Sequence, residues 1–235
     1  MTEPRPFLTA MWRDLAFINV EADPMALQPW LPPGTELDYF EGRTFLSLVG
    51  FRFSGTRVLG VPVPLHRDFE EVNLRFYVRF LGPDGWRRGV AFIRELVPRR
   101  AIAGIARWKY NEPYLAVPMS SEISNEYPGQ AAYRWRAEGA WMGIRMEVER
   151  DAEATPEASF IAEHFWGYGR SKDGRLIQYR VEHPAWHLRK ARLMDFEGPV
   201  ASFYGAPFED MLSGPIRSVF FAEGSEVSVS RPEVI

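Results

Sequence analysis

Residues 71–80 read Glu-Val-Asn-Leu-Arg-Phe-Tyr-Val-Arg-Phe, an unbroken two-residue alternation of polar and apolar side chains. Successive side chains of a strand point to opposite faces. Val72, Leu74, Phe76, Val78 and Phe80 therefore share one face, and Glu71, Asn73, Arg75, Tyr77 and Arg79 share the other. Facing water, the polar row makes an ordinary amphipathic strand. Facing the inside of a barrel, it makes the polar wall of a small-molecule site. The pattern alone leaves both directions open.

The rest of the chain is mostly strand-like. Residues 7–20 read as a first strand, and Asp23-Pro24 starts a short helix, with Asp23 as N-cap and Pro24 in the first helical position. Residues 35–40 and 43–53 look like the arms of a hairpin around Glu41-Gly42, and the second arm is apolar on both faces, as in a buried strand. Gly82-Pro83-Asp84-Gly85 is a turn, and Trp86 to Val97 returns as a strand with Val90, Phe92 and Arg94 on one face and Ala91, Ile93 and Glu95 on the other. Residues 98–110 fit helical spacing, Asn111-Glu112-Pro113 breaks the helix, and Tyr114 to Ile123 resumes as strand. Two alternating runs flank Glu138-Gly139, residues 151–154 read as a polar loop, and Thr155-Pro156 caps another helix. Strands follow at 176–181, 187–196 and 225–230, broken by loops around Gly198-Pro199, Gly205-Ala206-Pro207 and Gly214-Pro215. With no repeat, linker or shift in composition, residues 1–235 read as one mainly β (α+β) domain, barrel-like, with two or three short helices.

Composition excludes several chemistries. The absence of cysteine rules out disulfides, thiolate nucleophiles and Cys-based zinc sites. The net charge of −3, with mixed signs along the chain, selects neither nucleic acid nor anionic lipid. Residues 1–11 carry Pro4, Pro6 and charges without the apolar core of a signal peptide, and no apolar run is long enough to cross a bilayer. A cytoplasmic protein without membrane partners is the expectation. Only Lys109, Lys172 and Lys190 among the 28 basic residues are lysine; the others are arginine, which stays charged and grips carboxylates through a planar fork.

Motifs for metal or nucleotide are weak. His183 and His187 are four apart, but Pro184 intervenes and the run is strand-like, so no metal site is expected. Gly167-Tyr168-Gly169 lacks a strand-to-helix unit, and no Gly-x-Ser-x-Gly elbow occurs. Tyr133-Arg134-Trp135-Arg136 could stack on bases, but alternating aromatic and arginine residues are an ordinary sheet surface. The segment 106–116 carries Arg107, Tyr110 and Tyr114 from a helix into a strand, a corner that can overhang a barrel mouth. Equally, Arg107 can cap its own helix end.

The runs Met11-Trp12-Arg13-Asp14-Leu15-Ala16-Phe17, Leu31-Pro32-Pro33-Gly34, Glu71 to Val78 and His183-Pro184-Ala185-Trp186 resemble the DUF2071 (YqjF-like) family. That family is similar in fold to acetoacetate decarboxylase, so the resemblance implies a closed β-barrel-like domain of that type with a central cavity, and self-association. Acetoacetate decarboxylase carries Arg-x-x-aromatic-Gly-x-Pro-Lys, whose lysine forms a Schiff base with the substrate ketone. Arg107, Tyr110 and Pro113 hold matching places here, Asn111 replaces the glycine, and Tyr114 stands where the lysine would. Tyrosine has no amine and forms no imine. Lys109 lies five residues earlier, off the stripe that holds Arg107 and Tyr110.

The resemblance thus keeps the cavity and removes the imine chemistry. Arg75, Asn73, Arg107 and Tyr110 are the candidate substrate-binding residues, and Tyr114 and Glu71 the candidate catalytic ones. Arginine would hold a carboxylate, Tyr114 would donate to an oxyanion, and Glu71 would act as acid or base if buried. Glu71 and Arg75 lie about 13 Å apart along a strand, too far for a direct ion pair. The expected function is binding of a small organic acid or ketone, with no cofactor. Enzymatic use would be lyase- or hydrolase-like chemistry on a small carbonyl or carboxylate compound. The alternative is a non-catalytic ligand sensor or scaffold.

Overall fold

A computed structural model describes residues 5–124, 126, 128–151 and 155–235. In chain order its elements begin with β1 (Leu8–Ala22), α1 (Pro24–Leu27), a 3-10 turn (Gln28–Trp30), β2 (Glu36–Leu37), β3 (Thr44–Val58), β4 (Val61–Pro62), β5 (Phe69–Gly82) and β6 (Gly85–Val97). Then come α2 (Arg100–Tyr110), β7 (Tyr114–Ala116), β8 (Met119–Ile123), β9 (Gly129–Ala137), β10 (Ala140–Asp151) and α3 (Pro156–Ala162). The last are β11 (Trp166–Arg170), β12 (Leu176–Glu182), β13 (Leu188–Glu197), α4 (Val200–Phe203), α5 (Phe208–Ser213), β14 (Ile216–Val229) and β15 (Glu233–Val234). Residues 1–4, and the expected polar loop at 151–154 apart from Asp151, lie outside the described residues.

The local signals act as their chemistry dictates. Asp23 accepts from the Met25 N–H at 2.9 Å, and Thr155 Oγ1 accepts from the Ala158 N–H at 3.1 Å, each with proline following in the first turn. Glu138 and Gly139, both at positive φ, make the two-residue turn between β9 and β10. Glu41 and Gly42 also turn at positive φ, but the hairpin expected there closes only at Phe40 and Arg43. Its first arm leaves instead for β5, where Leu37 pairs with Val78 and Arg79 meets Glu36 at 3.1 Å. That pairing places Leu37 in the apolar core with Phe76 and Val78 of β5. The stretch read as loops after Gly198 contains α4 and α5, two helices of one turn or little more, too short for a periodic signal.

β12, β11, β6, β5, β3, β1 and β14 pair in that order, and β14 pairs back onto β12 at Val229 and Val181. The result is a closed ring of strands. β13, β10, β9 and β8 continue beyond β14 and pack over the outside of the ring. One apolar core therefore lies between ring and outer layer, joining Leu46, Leu48, Leu74 and Phe76 to Trp135, Ile144 and Met146. A second lies within the ring, built from Phe17, Phe45, Val49, Phe51 and Tyr77 with Phe160 and Ile161 of α3. β3 and β5 are thus buried on both faces over much of their length, which is why β3 is apolar on both. The layers approach closely at Gly50, where a Cβ would sit 2.7 Å from the Tyr133 ring.

Candidate functional site

The polar row of β5 faces inward. Glu71 and Asn73 are each 3% exposed and Arg75 is 9% exposed, and all three line a partly open cavity of about 160 Å³ inside the ring. Val72, Leu74, Phe76 and Val78 point the other way, into the core beneath the outer layer. Most of the cavity wall is apolar and aromatic, with Phe51, Phe69, Phe92 and Trp186 among its residues. The polar groups gather at two ends.

One end is carboxylic. Glu71 accepts from the Asn73 amide at 3.1 Å and from the Tyr114 hydroxyl at 3.1 Å. Glu95 pairs along the backbone with Tyr114 across the parallel β6–β7 ladder, which sets it beside the same hydroxyl. Glu112, just past the left-handed Asn111 that ends α2, accepts a short hydrogen bond from the Tyr179 hydroxyl of β12. Burial pushes the Glu71 carboxyl up to about 7, against the pull of Asn73, Tyr114 and Arg75. Burial also raises Glu112 to about 8, partly offset by Tyr179 and reinforced by the charge of Glu71. Glu95 is raised well above the ordinary carboxylate range by burial and by the charges of Glu112 and Glu71. Tyr114 is raised by burial and by these carboxylates, so its hydroxyl keeps its proton and serves as a donor. Groups that hold protons at neutral pH in a water-poor cavity can act as acids, bases or hydrogen-bond donors.

The other end is cationic. The Arg75 guanidinium lies 5.4 Å from the Phe17 ring and 5.7 Å from that of Tyr77. Its hydrogen bond within the protein is a long one, 3.4 Å to the Ile161 carbonyl oxygen, and its buried Nε has no acceptor. No ion pair joins it to Glu71 among the described residues. Behind it, Ser47 links the Tyr77 hydroxyl at 2.7 Å to Asn19 at 2.6 Å, closing this end of the ring. His164 also lies here, held by Asp38 at 3.2 Å, and burial pushes its imidazole down to about 4, so it is neutral.

The remaining sequence candidates separate. Tyr110 lines the cavity, but its hydroxyl donates to the Ser230 carbonyl oxygen at 3.2 Å. Arg107 is exposed, lies outside the cavity lining, and donates to the Ala103 carbonyl oxygen of its own helix at 3.2 Å. Of its two readings the structure places it as a helix-end group. The Lys109 ammonium rests 5.9 Å from the Trp108 ring, and none of the three lysines lines the cavity. His183 lines the cavity and stacks on Trp186 at 4.0 Å, while His187 is exposed; among the described residues no group of three or more His, Asp or Glu is placed to hold a metal ion. Tyr133 and Trp135 are fully buried under the outer layer and unavailable for stacking on bases.

Three site residues escaped the sequence reading: Glu95, Glu112 and Tyr179. Alternation puts Glu95 on the face of Ala91 and Ile93. In the structure Leu74 pairs with Arg94 but Arg75 pairs with Phe92, so Ile93 is an extra residue, a β-bulge. Beyond it the parity flips. Ala91 and Ile93 face the outer core, Arg94 reaches outward to the Phe203 carbonyl oxygen at 3.2 Å, and Glu95 joins Val90 and Phe92 around the cavity. Tyr179 reaches Glu112 across Gly167, where a Cβ would fall 2.0 Å from its ring. Neither the bulge nor the crossing has a local sequence signal.

The DUF2071 family model, described as an uncharacterized conserved protein, matches residues 9–226. The uncharacterized protein YqjF of Bacillus subtilis (strain 168) is 33% identical over 116 residues, 49% of this chain and 46% of that protein. The match thus spans about half the length of the curated relative. Among solved structures, acetoacetate decarboxylase from Legionella pneumophila superposes with a TM-score of 0.69 at 17% identity, over 100% of this chain and 92% of that one. An acetoacetate decarboxylase-like enzyme from Sphingomonas wittichii RW1 gives 0.67 at 13%, over 97% and 94%. The enduracididine biosynthesis enzyme MppR, complexed with pyruvate, gives 0.66 at 12%, over 99% and 91%. At such identities the likeness shows the fold: the ring with its outer layer is the acetoacetate decarboxylase-like fold that the resemblance implied.

Proposed function

The chain belongs to the DUF2071 family, and on that premise we propose that it binds a small organic acid or ketone inside the ring, without lysine imine chemistry. One observation carries the reading: Arg75 is buried in the cavity wall and, among the described residues, has one long hydrogen bond and no acceptor for its Nε. A guanidinium in that state has donors to spare, and their planar fork fits a carboxylate. Asn73, with its Oδ1 unpartnered, supplies a further polar contact. At the opposite end the Tyr114 hydroxyl and the Glu71 carboxyl, held near neutrality, fit the oxygen of a carbonyl and a proton transfer beside it. If the protein turns its ligand over, Tyr114 stabilises the enolate oxygen and Glu71 moves the proton. Pyruvate, the ligand of MppR, belongs to the same class of small oxo acids.

The test is calorimetric titration with a panel of oxo acids of graded chain length and their reduced counterparts. Binding in the wild type, with affinity reduced at least about tenfold in Arg75→Met, is the expected result; each factor of ten is about 1.4 kcal/mol. Equal affinity in the variant would refute the assignment of Arg75. Borohydride reduction with a β-keto acid, followed by mass mapping, should label no lysine; an adduct on Lys109 would overturn the exclusion of the imine.

A further inference from the structure

We infer that the carboxylic end of the cavity takes a protonated amine, so that the ligand is an organic acid carrying an amino group at its far end. The inference deepens the reading above and rests on Arg75 as the anion hook. Glu95 is 2% exposed and lines the cavity, yet among the described residues no donor reaches its Oε2. Glu71 and Glu112 line the same space, whereas Arg75 is the one arginine or lysine among the described residues that does. Three carboxyls thus face one guanidinium. Lacking partner cations, they hold protons instead. An ammonium group donates in three directions and would displace one of those protons, meeting the free Glu95 oxygen while Glu71 keeps Asn73 and Tyr114 and Glu112 keeps Tyr179.

The spacing sets the ligand's length. Glu95 pairs with Asn73, two residues from Arg75 on β5, so about 8 Å separates the Arg75 and Glu95 Cα atoms, and both residues line the cavity. A ligand that touches both ends separates its charges by a chain of several carbons, which apolar walls suit. The cavity has room for roughly five waters and, being partly open, admits a short chain of several heavy atoms.

Two matched probes test the inference on the full chain: 6-aminohexanoate and hexanoate, titrated by calorimetry. At about pH 8 the amino acid should bind about tenfold or more tightly than hexanoate. It should also release protons, read as a dependence of the heat on the buffer's ionisation enthalpy. At about pH 5, where the glutamates keep their protons, the preference should shrink. Glu95→Gln, a mimic of the protonated acid, should abolish the preference while leaving hexanoate binding in place. Hexanoate binding that depends on Arg75 with no gain from the amine overturns this inference and leaves the anion reading standing. A preference that survives Glu95→Gln also overturns it. If neither probe binds the wild type, this inference fails, and the oxo-acid panel decides the anion reading by itself.

Discussion

Replacing Glu71 by glutamine removes a carboxyl that folding raises from 4.5 to about 7, chiefly through burial. Below about pH 4.5 the group is protonated in the folded and the unfolded chain alike, and folding is not penalised. Between that value and about 7 the unfolded chain has released a proton that the folded chain still holds, so stability falls as pH rises. Above about 7 both states are ionised, and the folded chain carries the full cost of the buried charge, roughly 3 kcal/mol. Glutamine mimics the protonated acid: its oxygen accepts from Tyr114, and once the Asn73 amide turns over, its NH2 donates to Asn73 Oδ1. Glu95 and Glu112 both feel the Glu71 charge, so their own ionisation becomes easier in the variant, which adds in the same direction. The assay is urea unfolding of wild type and Glu71→Gln across about pH 5 to pH 8. The variant should lie within about 1 kcal/mol of the wild type at the acid end and exceed it by about 3 kcal/mol at the alkaline end. Two curves that stay parallel across that range would refute the buried, proton-holding carboxyl.

His164 predicts the opposite limb. Burial holds its folded imidazole at about 4 against 6.5 unfolded, so stability should be lost as pH falls from about 6.5 to about 4. His164→Gln should flatten that acid limb by roughly 3 kcal/mol, seen as a smaller fall in Tm on acidification, and an unchanged limb would count against a neutral buried histidine. Gly167→Ala forces Tyr179 off its place and breaks its bond to Glu112. The expected cost is about 1–3 kcal/mol in urea unfolding, larger than that of Tyr179→Phe, which loses the hydrogen bond without the clash; a neutral Gly167→Ala would show that the crossing is not tight.

Much of the local structure was legible because its causes are local. The period of two in residues 71–80 specifies a strand whatever surrounds it, the Asp23-Pro24 and Thr155-Pro156 pairs start helices through their own hydrogen bonds, and Glu138-Gly139 turns because its backbone tolerates positive φ. The same periodicity also sorted Glu71, Asn73, Arg75 and Tyr77 onto one face. Which way that face points was not legible, because closure of the ring decides it, through the pairing of Val181 with Val229 far from β5 in sequence. Nor could the sequence choose for Arg107 between cavity and helix end, two placements with the same local pattern.

By itself, then, the sequence determined the strands, the turns, the lack of a lysine at Tyr114 and the identity of the polar row. Tertiary structure alone decided that the row faces a cavity, that an extra residue at Ile93 turns Glu95 inward, and that Glu112 and Tyr179 meet across the ring. Periodicity is a property of neighbours along the chain, whereas facing and burial arise from partners brought together from distant segments.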